Sequence, residues 1–113
     1  GMHSFVTRMY SLSQIEQWIK FRVPIIVSLA WKSGQLPGAD AAQTNGHLVV
    51  VRGFTADGDV IANDPASPTD ERVQHVYPRA IFQSLWLNSS NGTVYINYPE
   101  SWPTPTENAL GSW

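Results

Sequence analysis

Gly46-His47-Leu48-Val49-Val50-Val51-Arg52-Gly53-Phe54, followed after an Asp57-Gly58 turn by Val60-Ile61-Ala62-Asn63-Asp64-Pro65, is the stretch whose reading decides the fold. A titratable residue opens the first apolar run and a carboxylate closes the second. Aspartate and glycine tolerate the positive φ that tight hairpin turns require, so Asp-Gly between two apolar runs predicts an antiparallel hairpin. Side chains alternate faces along a strand, and an even-numbered loop leaves His47 and Asp64 on one face. With residues 55–58 as the loop, Asp64 lies opposite Val49 and is a diagonal neighbour of His47, with backbones roughly 7–8 Å apart. With Asp57-Gly58 alone as the loop, Asp64 slides to face Val51, out of reach. A contact between the two side chains therefore requires the longer loop or a bulge. Both residues also have a plain structural reading, because Asp64 can close a turn through its own side chain and Pro65 fixes the chain direction after it.

Working outward, the pattern predicts an α+β fold: an antiparallel sheet with about two helices. Upstream, residues 4–9 read as a short edge strand. Ser11 suits an N-cap with Gln14 completing a capping box, and Leu12, Ile15, Trp18 and Ile19 recur at helical spacing. That helix should end near Arg22, ahead of Val23-Pro24. Residues 24–31 form a near-continuous apolar run rich in β-branched side chains, which predicts a strand buried on both faces. Residues 32–46, polar and rich in glycine and alanine, read as a long loop that delivers the chain to His47, either a substrate-facing lip or a plain surface loop. Downstream, residues 66–72 read as a polar turn region and 73–76 as a short strand. Pro78 fits the first position of a second helix over residues 79–87, with Ile81, Phe82, Leu85 and Trp86 as its apolar face. Residues 88–92 read as a turn and 93–98 as the last strand. Residues 99–113, with prolines and two tryptophans, read as an extended tail laid over the domain or without fixed structure.

The runs Pro24-Ile25-Ile26-Val27-Ser28-Leu29, Gly46 to Phe54 as quoted, and Val60-Ile61-Ala62-Asn63-Asp64-Pro65-Ala66 together resemble the C39-like cysteine peptidases, a branch of the papain-like fold. The resemblance covers residues 11–98 and implies a domain over residues 1–98 corresponding to the sheet half of such a peptidase. It implies His47 as general base and Asp64 as its orienting partner, a peptide or protein as substrate, and no cofactor. The family's nucleophilic cysteine, and the glutamine that helps bind the oxyanion, belong upstream of the first matched helix. Neither occurs here in a matching context, since Gln14 and Gln17 fall within the predicted helix and the chain has no cysteine. Thiolate chemistry needs a sulfur beside the imidazole and a third group that holds the ring in the right tautomer. His47 and Asp64 supply the base and the orienter, and nothing that attacks. Ser28 sits inside an apolar run and Ser89-Ser90 in a turn, so no serine carries a nucleophile motif. The expectation is a chain that hydrolyses nothing by itself, with the thiol in a missing N-terminal segment. The alternative, from a different class, is a non-catalytic binding or interaction domain on the same scaffold.

Composition narrows the remaining classes. The chain has 113 residues, 42% of them apolar, and a formal charge of −2, which gives no electrostatic reason to expect nucleic acid. No apolar stretch reaches the roughly 20 residues needed to span a bilayer. The absence of cysteine excludes disulfides and leaves the compartment open, a secreted or cell-envelope location among the alternatives. His3, His47 and His75 lack metal-ligand spacing, so no metal site is expected. Asn63 reads as a backbone-bonding turn residue on the face opposite Asp64, and Asp57 and Asp59 as hairpin-turn residues without a calcium loop's ligand series. Trp31, Trp86, Trp102 and Trp113 read as core or lid residues. The sequons at Asn88 and Asn91 matter only in a secreted eukaryotic protein. A sheet face lacking its cysteine-bearing helix should be covered by the tail, promote self-association, or be closed by the chain's own two helices.

Overall fold

The strand and helix periodicities resolve into six strands and two helices in a computed structural model, which describes residues 1–39, 44–64 and 74–104. In chain order these are β1 (Met2–Arg8), α1 (Leu12–Lys20), β2 (Ile25–Trp31), β3 (Thr44–Phe54), β4 (Val60–Asn63), β5 (Gln74–Tyr77), α2 (Arg79–Ser90) and β6 (Thr93–Pro99). The strands form one antiparallel sheet in the order β1-β6-β2-β3-β4-β5. The fold is α+β, as the patterning predicts. The turn region expected over 66–72 and the tail beyond residue 104 lie outside the described residues. β3 begins at Thr44, so the long connection expected over 32–46 is shorter than anticipated. Its described part is anchored by Leu36, 6% exposed in the core.

Helix α1 starts on Ser11, whose side chain accepts the Ser13 N–H at 3.1 Å. Gln14 Oε1 accepts the Tyr10 N–H at 2.8 Å, so the expected capping box closes on the residue before the cap. The helix ends at Lys20, two residues short of expectation. The Val23 N–H bonds the Trp18 carbonyl and the Arg22 N–H the Ile19 carbonyl, with Arg22 left-handed at φ 62°, a position more often filled by glycine.

Helix α2 runs three residues past the expected end, through Ser90. The cause is tertiary. β6 pairs β2 only over Ile25, Ile26 and Val27, so the edge of β2 beyond Val27 needs another partner. Ser89 Oγ accepts the Ala30 N–H at 2.9 Å, and Ser90 Oγ donates to the Ser28 carbonyl at 2.6 Å. The same hydroxyls lie 2.6 Å and 3.1 Å from the Leu85 and Trp86 carbonyls one turn back. Two serines of the last helical turn thus stand in for a strand. Gly92 closes the turn that follows: the Met9 N–H donates to its carbonyl at 2.9 Å, and a Cβ there would lie 1.7 Å from the Met9 oxygen.

Both helices belong to one core. Leu12, Ile15 and Trp18 of α1 and Phe82 and Trp86 of α2 pack with Ile25, Val27, Leu29 and Trp31 of β2 and with Val49, Val51, Val94 and Ile96. The expectation that β2 is buried on both faces is not met. Ile26, Ser28 and Ala30, which alternate with the buried residues, are only half-buried. Among the described residues no helix packs on that face, where Val6, Tyr95, Ile26 and Val50 lie directly opposite one another across four strands. The sheet face bearing Val27 and Leu29 is closed by the chain's own helices. Trp102 follows a turn in which its N–H bonds the Pro99 carbonyl at 2.9 Å, and it stays 42% exposed.

Candidate active site

The β3–β4 hairpin solves its register problem with two opposing irregularities. Phe54 pairs with Val60, so the loop is residues 55–59, one longer than the expected 55–58. It is closed by the Thr55 N–H to the Asp59 carbonyl and the Gly58 N–H to the Thr55 carbonyl, both 2.9 Å. Arg52 is then an extra residue on β3, because Val51 pairs with Ala62 while Gly53 pairs with Ile61. The bulge takes back the single residue that the loop added. Beyond it the pairs are Val51 with Ala62 and Val50 with Asn63, and the next step of that register sets Asp64 against Val49.

His47 and Asp64 therefore meet. His47 Nε2 lies 2.6 Å from Asp64 Oδ1, with the histidine side chain 20% exposed and the aspartate side chain 3% exposed. A carboxylate can only accept, so Nε2 carries the proton of this hydrogen bond and the neutral ring keeps its lone pair on Nδ1. The Trp31 ring stands edge-on to the imidazole, centroids 5.8 Å apart at 79°. Trp31 lies two residues beyond Leu29, the cross-strand partner of His47, and so shares its face. The arrangement buries a carboxylate, ties it to one ring nitrogen and leaves the other for proton transfer.

The base of the hairpin is clamped by Arg79. Its backbone N–H donates to Asp59 Oδ1 at 3.1 Å, Nη1 to the Gly58 carbonyl at 3.1 Å and Nη2 to Ser13 Oγ at 3.4 Å. Nη2 also pairs with Glu16, and the guanidinium sits 5.5 Å from the centroid of the Phe54 ring. Asp59 thus caps the first turn of α2 from the hairpin loop, a job no local side chain performs. Neither Trp31 nor Arg79 was singled out as part of the site by sequence. The signal for Trp31 was its alternation with Leu29; for Arg79, whose contacts span the chain, there was none.

The other candidates fall elsewhere. His3 stacks on Tyr98 at 5.3 Å and His75 on Tyr77 at 5.5 Å, with His75 Nδ1 2.8 Å from the Gly38 carbonyl. Among the described residues no group of potential ligands is arranged to hold a metal. Asn63 is a strand residue rather than the expected turn residue, and its buried Oδ1 has no hydrogen-bond partner among the described residues. The strand pairs it with Val50 and Gln74, where no described donor reaches the amide oxygen. Trp86 is core at 0% exposure, and its indole N–H donates to the Thr93 carbonyl at 3.1 Å. Trp113 lies outside the described residues. No described helix is long and apolar enough to cross a membrane.

Residues 2–94 match the Peptidase_C39 like family. The chain belongs to that family. The fold is similar to the crystal structure of a candidate C39-like peptidase from Bacillus anthracis, with a TM-score of 0.58 and 14% sequence identity. The likeness covers 82% of this chain and 50% of the other, so the chain spans about half the length of the structure it matches. At that identity the likeness concerns the fold. Comparison with curated proteins finds no match. Gln14, the nearest glutamine to the start of α1 in this C39-like chain, is fully buried and its oxygen is engaged by the Tyr10 N–H, which is helix capping.

Proposed function

We propose that His47 and Asp64 are the general base and its orienting partner in a cysteine-peptidase site that hydrolyses peptide bonds, with the thiol supplied by polypeptide outside these 113 residues. The observation that supports this is the 2.6 Å contact between Nε2 and a nearly dehydrated carboxylate, in a member of the C39-like family. Holding the proton on Nε2 leaves Nδ1 to take the proton of a thiol. The thiolate attacks the scissile carbonyl, and the C–N bond breaks as the leaving amine takes that proton back from the imidazole. Water then cleaves the thioester, with His47 again as base, and the thiol is regenerated. Asp64 stabilises the imidazolium formed in each half-reaction and stays ionised.

The domain on this reading is residues 1–98, followed by a Pro- and Trp-containing segment over 99–113. The second reading, a binding domain without catalysis, is favoured by one observation, the absence of cysteine from the sequence. Assaying the full-length gene product against a quenched-fluorescence peptide library separates the two. The peptidase reading expects His47→Ala to lower turnover by about 10²–10⁴-fold or more. Turnover that His47→Ala leaves intact overturns it. The 113-residue chain alone should show no His47-dependent turnover, and such turnover would mean that a nucleophile lies within it.

A further inference from the structure

Next to His47 the molecule opens into a cleft of about 800 Å³, within the range of sites that hold small ligands and peptide segments. Its position is set by the same strand pair that carries the imidazole. His47 pairs with Leu29, and Trp31 pairs with Thr44; Trp31 and Thr44 both line the cleft. The cleft thus lies one side-chain step along the strands, roughly 7 Å from the His47 row. Trp31 joins the two places: its buried ring stands edge-on to the imidazole, and the residue, 2% exposed, borders the cleft. A peptide with its scissile bond at His47 has its flanking side chains at about this spacing.

Most of the lining is neutral and polar, with Ser33, Gln35, Thr44, Asn88 and Ser89 beside a smaller apolar part and one cation. Ala30 and Leu85, both half-buried, give the apolar part that a ligand can touch. The hydroxyl of Ser89 is already spent between the Ala30 N–H and the Leu85 carbonyl, so it adds little recognition. At the rim stands Lys32, exposed to solvent, and no carboxylate lines the cleft among the described residues. A small apolar patch beside one cation, in a lining otherwise neutral, matches a side chain with a methylene stem and an anionic tip.

Resting on the peptidase reading, and naming its substrate class, we infer that this cleft receives an acidic side chain, glutamate above all, flanking the bond presented to His47. Lys32 selects the carboxylate, while Ala30 and Leu85 pack against the stem. An exposed ammonium in high dielectric gives a modest preference, about two- to fivefold at low ionic strength, that shrinks as salt is added.

The test is binding to the full 113-residue chain, which needs no thiol. Acetyl-Ala-Leu-Glu-Gly-Ala-amide is compared with the same peptide carrying Gln or Lys in place of Glu, by calorimetry and by amide shifts at Thr44 and Ser89. The expected order is Glu tighter than Gln by about two- to fivefold and Lys weakest. Lys32→Ala abolishes the difference between Glu and Gln, and Lys32→Glu reverses the order of Glu and Lys. Neither variant touches the backbone bond from the Lys32 N–H to Gln35 Oε1, 2.7 Å, so the cleft lining persists. Equal affinities, a preference that survives Lys32→Ala, or no binding of the Glu peptide at millimolar concentration each overturns the inference. Because the readout is affinity, a Lys32-dependent preference stands even where His47→Ala spares turnover. Loss of turnover in His47→Ala likewise stands where no preference is found.

Discussion

Neighbouring residues of β2 live in different surroundings. Ile25, Val27, Leu29 and Trp31 are 0–2% exposed beneath the helices, while Ile26, Ser28 and Ala30 between them are half-buried on a face that no described helix covers. The covered face carries Ile, Val, Leu and Trp and the open face Ile, Ser and Ala, and α1 and α2 pack on the first alone. Their apolar stripes reach only one side, so a continuous apolar run does not by itself mean burial on both. His47 and Asp64 lie on the covered face, at its margin. There the aspartate is stripped of water while the histidine keeps 20% of its side-chain surface, a combination suited to an oriented base that must still be reached.

The hardest test of that contrast is chemical. If the covered face holds Asp64 as an acceptor for Nε2–H, Asp64→Asn in the full-length gene product should lower turnover by about 10²–10⁴-fold. An amide can turn its NH₂ toward the ring and favour the wrong tautomer. The double variant with His47→Ala should be no worse than His47→Ala alone, because the two act as a unit. A loss under tenfold, or full additivity, would separate Asp64 from the chemistry.

The next test is stability, using two leucines. Leu29 is 1% exposed on the covered face, and Leu48, next to its cross-strand partner His47, is 47% exposed on the open one. Leu29→Ala should cost about 2–5 kcal/mol in denaturant unfolding, through lost burial and a residual cavity. Leu48→Ala should cost under about 1 kcal/mol. A large cost for Leu48→Ala that grows with protein concentration would show that the open face is covered in solution by a second copy.

Much of this was legible in the sequence, for identifiable reasons. Strand and helix periods are local, so α1, β2, β3 and β6 fall close to expectation, as does the shared face of His47 and Asp64. The way the hairpin achieves that contact was not legible. The five-residue loop and the bulge at Arg52 are two departures that cancel, and parity alone cannot distinguish them from a shorter loop without a bulge. The extent of α2 was missed because Asn88, Ser89 and Ser90 favour turns in isolation and are held helical by bonds to β2 across the fold. The open face of β2 was missed because burial depends on what packs above a strand, which the strand's own residues do not encode.

Two arginines extend the comparison to polar contacts. Arg79 ties α1, α2 and the hairpin loop through bonds to Ser13, Gly58 and Glu16, whereas Arg52 is exposed and, among the described residues, makes one bond, to Gln74 at 2.8 Å. Arg79→Ala should cost about 1–2 kcal/mol, and Arg52→Ala under about 0.5 kcal/mol. Equal costs would mean that the hairpin holds its register without the clamp.

The smallest expected effect lies where the sheet gives way to helix. The Ala30 N–H has Ser89 Oγ as its acceptor at 2.9 Å, on an edge of β2 that β6 does not reach. Ser89→Ala removes that acceptor and leaves the helix intact, at a cost of about 0.5–1.5 kcal/mol. The informative readout is local: amide hydrogen exchange at Ala30 should quicken, while exchange at Val27, deep in the covered face, stays tied to global unfolding. If Ala30 is unaffected, water or a neighbouring group satisfies it as well as the serine does. The last turn of α2 would then be helical for its own reasons rather than as a substitute strand.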